Sequence, residues 1–145
     1  MPAAMTTERK KLARLNRLEK LRAIAKQTAA TEASQAESTL AQLQNLAERT
    51  RALAANYAAR RDAPDGAALH QVGRFVSGLR TITSTTDGET LRARSIADAK
   101  QQALVEAERR RAAIEDRAAA QARVVASKAQ VPALGAKRKN GTELD

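Results

Sequence analysis

Asp62-Ala63-Pro64-Asp65-Gly66 divides this 145-residue chain into two long stretches, and its reading decides the fold. Pro64 lacks the N–H that would continue a helical hydrogen-bond ladder, and it pushes Ala63 out of helical geometry. Asp65-Gly66 is a turn pair. Upstream, from Glu8 to Arg61, there is neither Pro nor Gly. Apolar or small residues recur in that stretch at Leu15, Leu18, Ala25, Ala29, Ala36, Leu43, Leu46, Leu53 and Tyr57. Leu12, Leu21 and Leu40 widen the stripe. Spacing that alternates between three and four is the seam of a coiled coil. A single helix of about 55 residues would run roughly 80 Å and could not bury its own stripe, so it needs a partner.

Downstream, a second pattern supplies that partner. Its seam reads Val72, Phe75, Leu79, Ile82, Ala93, Ile96, Ala103, Ala107, Ile114 and Val124. A short connection between helices favours antiparallel neighbours. The second pattern is the weaker one, because Gly73, Gly78 and Gly88 each cost about 1 kcal/mol relative to Ala inside a helix. The run from Thr81 to Thr90 is rich in Thr and contains Asp87-Gly88. A kink or short break near residues 83–90 is one outcome of this composition, with Asp87 capping the following segment; an unbroken helix is the other.

The expected fold class is therefore all-α, two long helices forming an antiparallel coiled-coil hairpin. Residues 1–6 lack pattern and are expected to be disordered. Thr6 or Thr7 would cap a first helix over 7–62, residues 63–66 would turn, and a second helix would cover 67–130. The tail over 131–145 contains Pro132, Gly135, Lys137, Arg138, Lys139 and Gly141, and is expected to be a disordered basic segment.

Composition agrees with a thin seam in place of a thick core. Ala occurs 34 times, while Tyr57 and Phe75 are the only aromatics. Large side chains supply most of the buried area of a globular core. Strong helix formers dominate instead. With no Cys, disulfides and thiolate metal sites are excluded. No stretch approaches the roughly 18 apolar residues of a membrane span. The polar start, Met1 to Lys11, has no apolar signal region, so a cytoplasmic location is expected.

The chemistry of an enzyme is hard to assemble from these residues. His70 is the only His, it sits near the start of the second helix, and no triad partner is evident. Glu106, Glu108, Glu115 and Asp116 are interleaved with Arg and read as solvated helix pairs. Neither a Gly-rich phosphate loop nor zinc or calcium-loop spacing occurs. No enzyme activity, cofactor or metal is expected.

The net charge is +10. Arg9, Lys10, Lys11, Arg14, Arg17, Lys20, Arg22 and Lys26 crowd the start of the first helix. Arg109, Arg110, Arg111, Arg117, Arg123 and Lys128 crowd the end of the second. In an antiparallel hairpin the two groups meet. Cations at a helix start oppose its dipole, so helix stability does not explain them. They serve either as a solvated face or as a tip that binds an acidic surface; nucleic acid is a third reading, weakened because no aromatic lies among them to stack on bases. Phe75 and Leu79 share a helix face with Val72, Val76 and Ile82 nearby. With Tyr57 they either close the turn end of the core or form a partly exposed patch for a partner.

These features together resemble the FliJ family, small cytoplasmic components of the flagellar type III export apparatus. The resemblance rests on the Leu/Arg start from Leu12 to Arg22, the Pro-free first helix and the short turn. It rests also on Phe75-x-x-x-Leu79 and on the Arg-rich stretch from Ala107 to Glu115. It spans roughly residues 9–130 and implies a stalk within an export ATPase ring, linked to the cytoplasmic domain of the export gate and to export chaperones. By that resemblance Phe75 and Leu79, with Tyr57 and Ile82, would meet the gate. Arg9, Lys10, Lys11, Arg14, Arg17, Arg109, Arg110, Arg111 and Arg117 would meet the ATPase ring or another acidic partner. Leu15, Leu18, Leu43, Leu46, Leu53, Val72, Ile96, Ile114 and Val124 would form the seam. The family's Tyr pair is not reproduced, since only Tyr57 is present. A monomer is expected, held near the inner membrane only through its partners. A basic coiled coil associated with nucleic acid or ribosomes, and a purely structural homodimeric coiled coil, are the alternatives.

Overall fold

The computed structural model describes residues 2–60 and 64–142, with side chains described for 3–60 and 64–130. Two helices pack against each other as a helical hairpin, α1 (Pro2–Ala58) and α2 (Gly66–Thr142). Asp62 and Ala63 of the expected turn lie outside the described residues. The end of α1 tightens, with Ala59 N–H donating to Ala55 C=O at 3.1 Å and Arg60 N–H to Tyr57 C=O at 3.2 Å. Asp65 caps α2. Its carboxylate accepts from Ala68 N–H at 2.7 Å, and its carbonyl accepts the first helical bond, from Leu69 N–H at 3.1 Å. Gly66, read as a turn residue, is thus the first residue of α2.

α1 exceeds its expected bound at the start and α2 at the end, while α1 stops at Ala58, short of the expected residue 62. α1 begins at Pro2, where the residues to 6 were expected to be disordered. Proline suits a first helical position because its missing N–H would have no helical partner there. Neither Thr6 nor Thr7 is therefore a cap; Thr7 Oγ1 donates to Ala3 C=O at 2.9 Å within the helix. α2 continues to Thr142, so residues 131–142 extend it in place of the expected disordered tail. Each residue added to an existing helix, other than Pro132, which has no N–H to donate, gains one hydrogen bond without a new nucleus.

The Thr-rich run does not break α2. Thr81, Thr83, Thr86 and Thr90 each donate the hydroxyl to the carbonyl four residues earlier, at 2.8–3.1 Å. That bond satisfies the hydroxyl inside the helix and permits Thr83 and Thr86 to be buried. Asp87 is accordingly a mid-helix residue, not a cap.

The chain forms two compact units. Unit 2 is Ala30–Ala103, the turn end, and unit 1 is Met1–Ala29 with Leu104–Asp145. In unit 2 the buried positions of α1 are Ala33, Leu40, Ala47, Thr50 and Ala54. Those of α2 are Val76, Leu79, Thr83, Thr86, Ala93 and Ala97. Leu40, Ala93 and Ala97 form the centre, with Ala36 and Leu43 packed around it. These positions follow a seven-residue repeat of alternating four and three. A buried methyl contributes about 0.8 kcal/mol, against roughly 1.5–3 kcal/mol for a whole Leu or Ile side chain, so each Ala or Thr layer stabilises the hairpin only modestly.

In unit 1 the buried residues are Ile114, Ala118 and Gln121 of α2. Half-buried Leu12, Leu15, Leu18, Arg22 and Lys26 of α1, and Leu104, Ala107, Arg111 and Val125 of α2, complete that seam. Eight residues assigned to the seam from sequence lie outside it: Ala25, Leu46 (47% exposed), Leu53 (41%), Phe75 (46%), Ile82 (52%), Ile96 (55%), Ala103 and Val124 (39%). Ala47, Ala54, Ala97 and half-buried Val125, each one residue further on, occupy it. Small residues there let the two backbones approach, and the repeat through Leu43, Thr50 and Tyr57 fixes which side of each helix turns inward.

Candidate interaction surfaces

Charge is divided unevenly between the units. The sequence of unit 1 holds 17 basic and 8 acidic residues, net +9, while unit 2 holds 9 and 8, net +1. Unit 1 brings the basic start of α1 beside the basic end of α2. Lys26 pairs with Glu108, and Lys128 Nζ lies 3.2 Å from Glu8 Oε1. Arg110 pairs loosely with Glu106 at 4.0 Å, and Arg111 lies 3.7 Å from both Glu108 and Glu115. Arg9, Lys10, Lys11, Arg14, Arg17, Arg109 and Arg117 are exposed and make no ion pair among the described residues. Those seven, with Lys20 and Arg123, which are likewise exposed and make no ion pair among the described residues, are the part of the cluster available to an anionic partner. Arg111, by contrast, is half-buried in the seam.

Two carboxylates bridge the two helices within this unit. The Gln121 amide donates both to the Glu8 backbone carbonyl, at 3.1 Å, and to the Glu8 carboxylate. That hydrogen bond and the one from Lys128 hold the Glu8 carboxyl below the usual carboxylate range. The hydrogen bond from Lys26 does the same for Glu108. The Nε of Arg22 is buried in this seam without a hydrogen-bond partner. Sequence inspection grouped Arg22 and Lys26 with the surface cations; only the heptad register, extended from Leu15 and Ala29, would have placed them inward.

Unit 2 carries the aromatic residues. The rings of Tyr57 and Phe75 meet edge to face, with centroids 4.9 Å apart at 67°. The Arg60 guanidinium lies 4.1 Å above the Tyr57 ring. Phe75 thus helps to close the turn end of the core and still keeps 46% of its surface exposed. Leu79 is buried in the seam at 8%. The pair Phe75–Leu79 therefore does not form one exposed patch; Phe75 and Ile82, seven residues apart, are both exposed. His70 is exposed at the edge of a shallow groove with Leu69, Gly73, Arg74 and Ser77. Among the described residues no group of three or more His, Cys, Asp or Glu side chains is gathered to hold a metal ion. No helix, over the described residues, is long and apolar enough to cross a membrane.

Comparison with protein-family models, with curated proteins and with solved structures finds no match to this chain.

Proposed function

We propose that this chain is a non-enzymatic, cytoplasmic coiled-coil component of a flagellar or related type III protein export apparatus. In that role it is a stalk-like protein that engages the export ATPase ring, the cytoplasmic domain of the export gate and export chaperones, and it approaches the inner membrane only through them. The observation that carries this reading is the segregation of charge: net +9 in unit 1 and +1 in unit 2, with nine exposed cations of unit 1 unpaired among the described residues. A cationic helical end suits an acidic ring lumen, and a neutral end with exposed Phe75 and Ile82 suits an apolar docking partner. The FliJ-like residues, from the Leu/Arg start to the Ala107–Glu115 stretch, support the same role.

The test is binding of the full chain to the export ATPase and to the gate domain of the same organism. Charge reversal at Arg109 and Arg117, both exposed and unpaired among the described residues, should weaken ATPase binding at least tenfold and leave gate binding unchanged. Phe75→Ala with Ile82→Ala should do the reverse. Absence of ATPase binding, together with duplex DNA binding that falls steeply with salt, would replace this reading by the nucleic-acid one.

A further inference from the structure

Beside Leu40, Val76 and Leu79, unit 2 buries mainly small residues and leaves several large ones exposed. Ala and Thr fill most of the seam, while Leu46, Leu53, Phe75, Ile82 and Ile96 remain roughly half exposed. Their placement is regular. Leu46 and Leu53 each immediately precede a buried residue of α1, Ala47 and Ala54. Phe75, Ile82 and Ile96 each immediately precede a buried residue of α2, Val76, Thr83 and Ala97. In a pair of antiparallel helices, positions that precede the seam share one side and positions that follow it share the other. Arg51 and Asp87 follow buried Thr50 and Thr86, and they touch each other, which fixes the second side. The five large side chains therefore line the first side together, seven residues apart from Leu46 to Leu53 and from Phe75 to Ile82, and fourteen from Ile82 to Ile96, with Glu89 midway.

A stripe with seven-residue steps is covered by another helical stripe. Five such side chains near half exposure offer on the order of 400 Å² of apolar surface, the size at which exposed patches are functional. Two copies of the stripe, with the Gln, Asn and Thr side chains beside it, approach the roughly 1,200 Å² of a specific interface. The charges on this side favour like meeting like. Arg49, between Leu46 and Leu53, and Glu89, between Ile82 and Ile96, are exposed and make no ion pair among the described residues. An isologous contact uses each of them twice, Arg49 of one copy against Glu89 of the other. Unit 2, at net +1, also lets two copies meet without the repulsion that unit 1, at +9, would impose.

We propose that this side of unit 2 is a homodimer interface, covered by a second copy of the same chain. The inference is argued without the export reading, and where both hold, a second copy and the gate compete for Phe75 and Ile82. Sedimentation equilibrium of the full chain should give a mass rising to twice that of the monomer over tens of micromolar. Leu53→Gln with Ile82→Gln should shift the dimer midpoint at least tenfold upward, with the helical circular dichroism retained. Arg49→Glu should weaken the dimer, and adding Glu89→Arg should restore it. Because the chain has no Cys, a single introduced thiol reports on contact between copies without disturbing the rest. Ile82→Cys should oxidise to a disulfide dimer at least tenfold faster than Arg94→Cys, which follows buried Ala93 on the opposite side. A chain that stays monomeric to several hundred micromolar, a dimer unaffected by the Gln pair, or equal oxidation of the two thiols would each overturn the proposal. In the first case the stripe is left to a different protein.

Discussion

Arg51 of α1 and Asp87 of α2, 36 residues apart in sequence, meet through one guanidinium nitrogen that donates to both carboxylate oxygens, at 3.0 and 3.2 Å. Both side chains are about half exposed, so the pair is worth little in itself. A double-mutant cycle with Arg51→Ala and Asp87→Ala should give a coupling of about 0.2–1 kcal/mol at low salt, lost at high salt. A coupling near zero at every salt concentration would mean that the two residues are not neighbours in solution.

Truncation distinguishes the seam from the face beside it. Leu40→Ala removes the largest side chain at the centre of the unit 2 core and should cost about 2–3 kcal/mol by urea denaturation. Leu46→Ala, six residues on but outside the seam, should change monomer stability by no more than about 0.5 kcal/mol. Ala97 is 1% exposed, and Ala97→Leu should destabilise by about 1–3 kcal/mol through overpacking. If Leu46→Ala cost more than Leu40→Ala, the register of α1 would have to be rotated.

The same two leucines mark how far the fold was legible in the sequence. Pro64 and Asp65, flanked by long helical stretches, disclose a hairpin without further help. Its seam was ambiguous, because Leu43-Leu46-Leu53-Tyr57 and Leu43-Ala47-Thr50-Ala54-Tyr57 both keep steps built from three and four. Side-chain size favoured the first path, and the packing follows the second, because close approach of two backbones rewards small residues. Thr83 and Thr86 left the continuity of α2 open for a related reason. Their hydroxyls look like helix breakers until each is seen to bond the preceding turn. The cationic clusters were visible as runs of Arg and Lys, whereas the neutrality of unit 2 needs the boundaries at Ala30 and Ala103 to be counted.

Gly88 lies inside the unbroken α2, and a Cβ built on it would meet no atom within 4 Å. Gly88→Ala should therefore raise stability by about 0.5–1 kcal/mol, through the unfolded state and without new contacts. The shift in thermal midpoint measures it. A loss of stability would show that the backbone at this position is not helical.

Glu8 and Glu108 contribute to the acid sensitivity of unit 1. Both carboxyls are held below the usual range by hydrogen bonds, from Gln121 and Lys128 to Glu8 and from Lys26 to Glu108. A depressed folded-state pKa gives stability that is fully present above the unfolded value, about 4.3, and lost as pH falls through the folded one. Stability followed by urea titration should fall below about pH 5 and continue to fall towards pH 3. Glu8→Gln with Glu108→Gln should flatten that slope while leaving the alkaline side unchanged. An unaltered acid slope would remove both pairs from the account.

The prevalence of Ala and Thr in the seam has a thermal consequence. Unfolding such a hairpin wets little hydrocarbon, so its heat-capacity increment per residue should lie below the ordinary ~12–15 cal/mol/K. A small increment flattens the curve of free energy against temperature. The protein should melt gradually over a wide interval, and chilling should weaken it far less than it would a domain built on Leu, Ile and Phe.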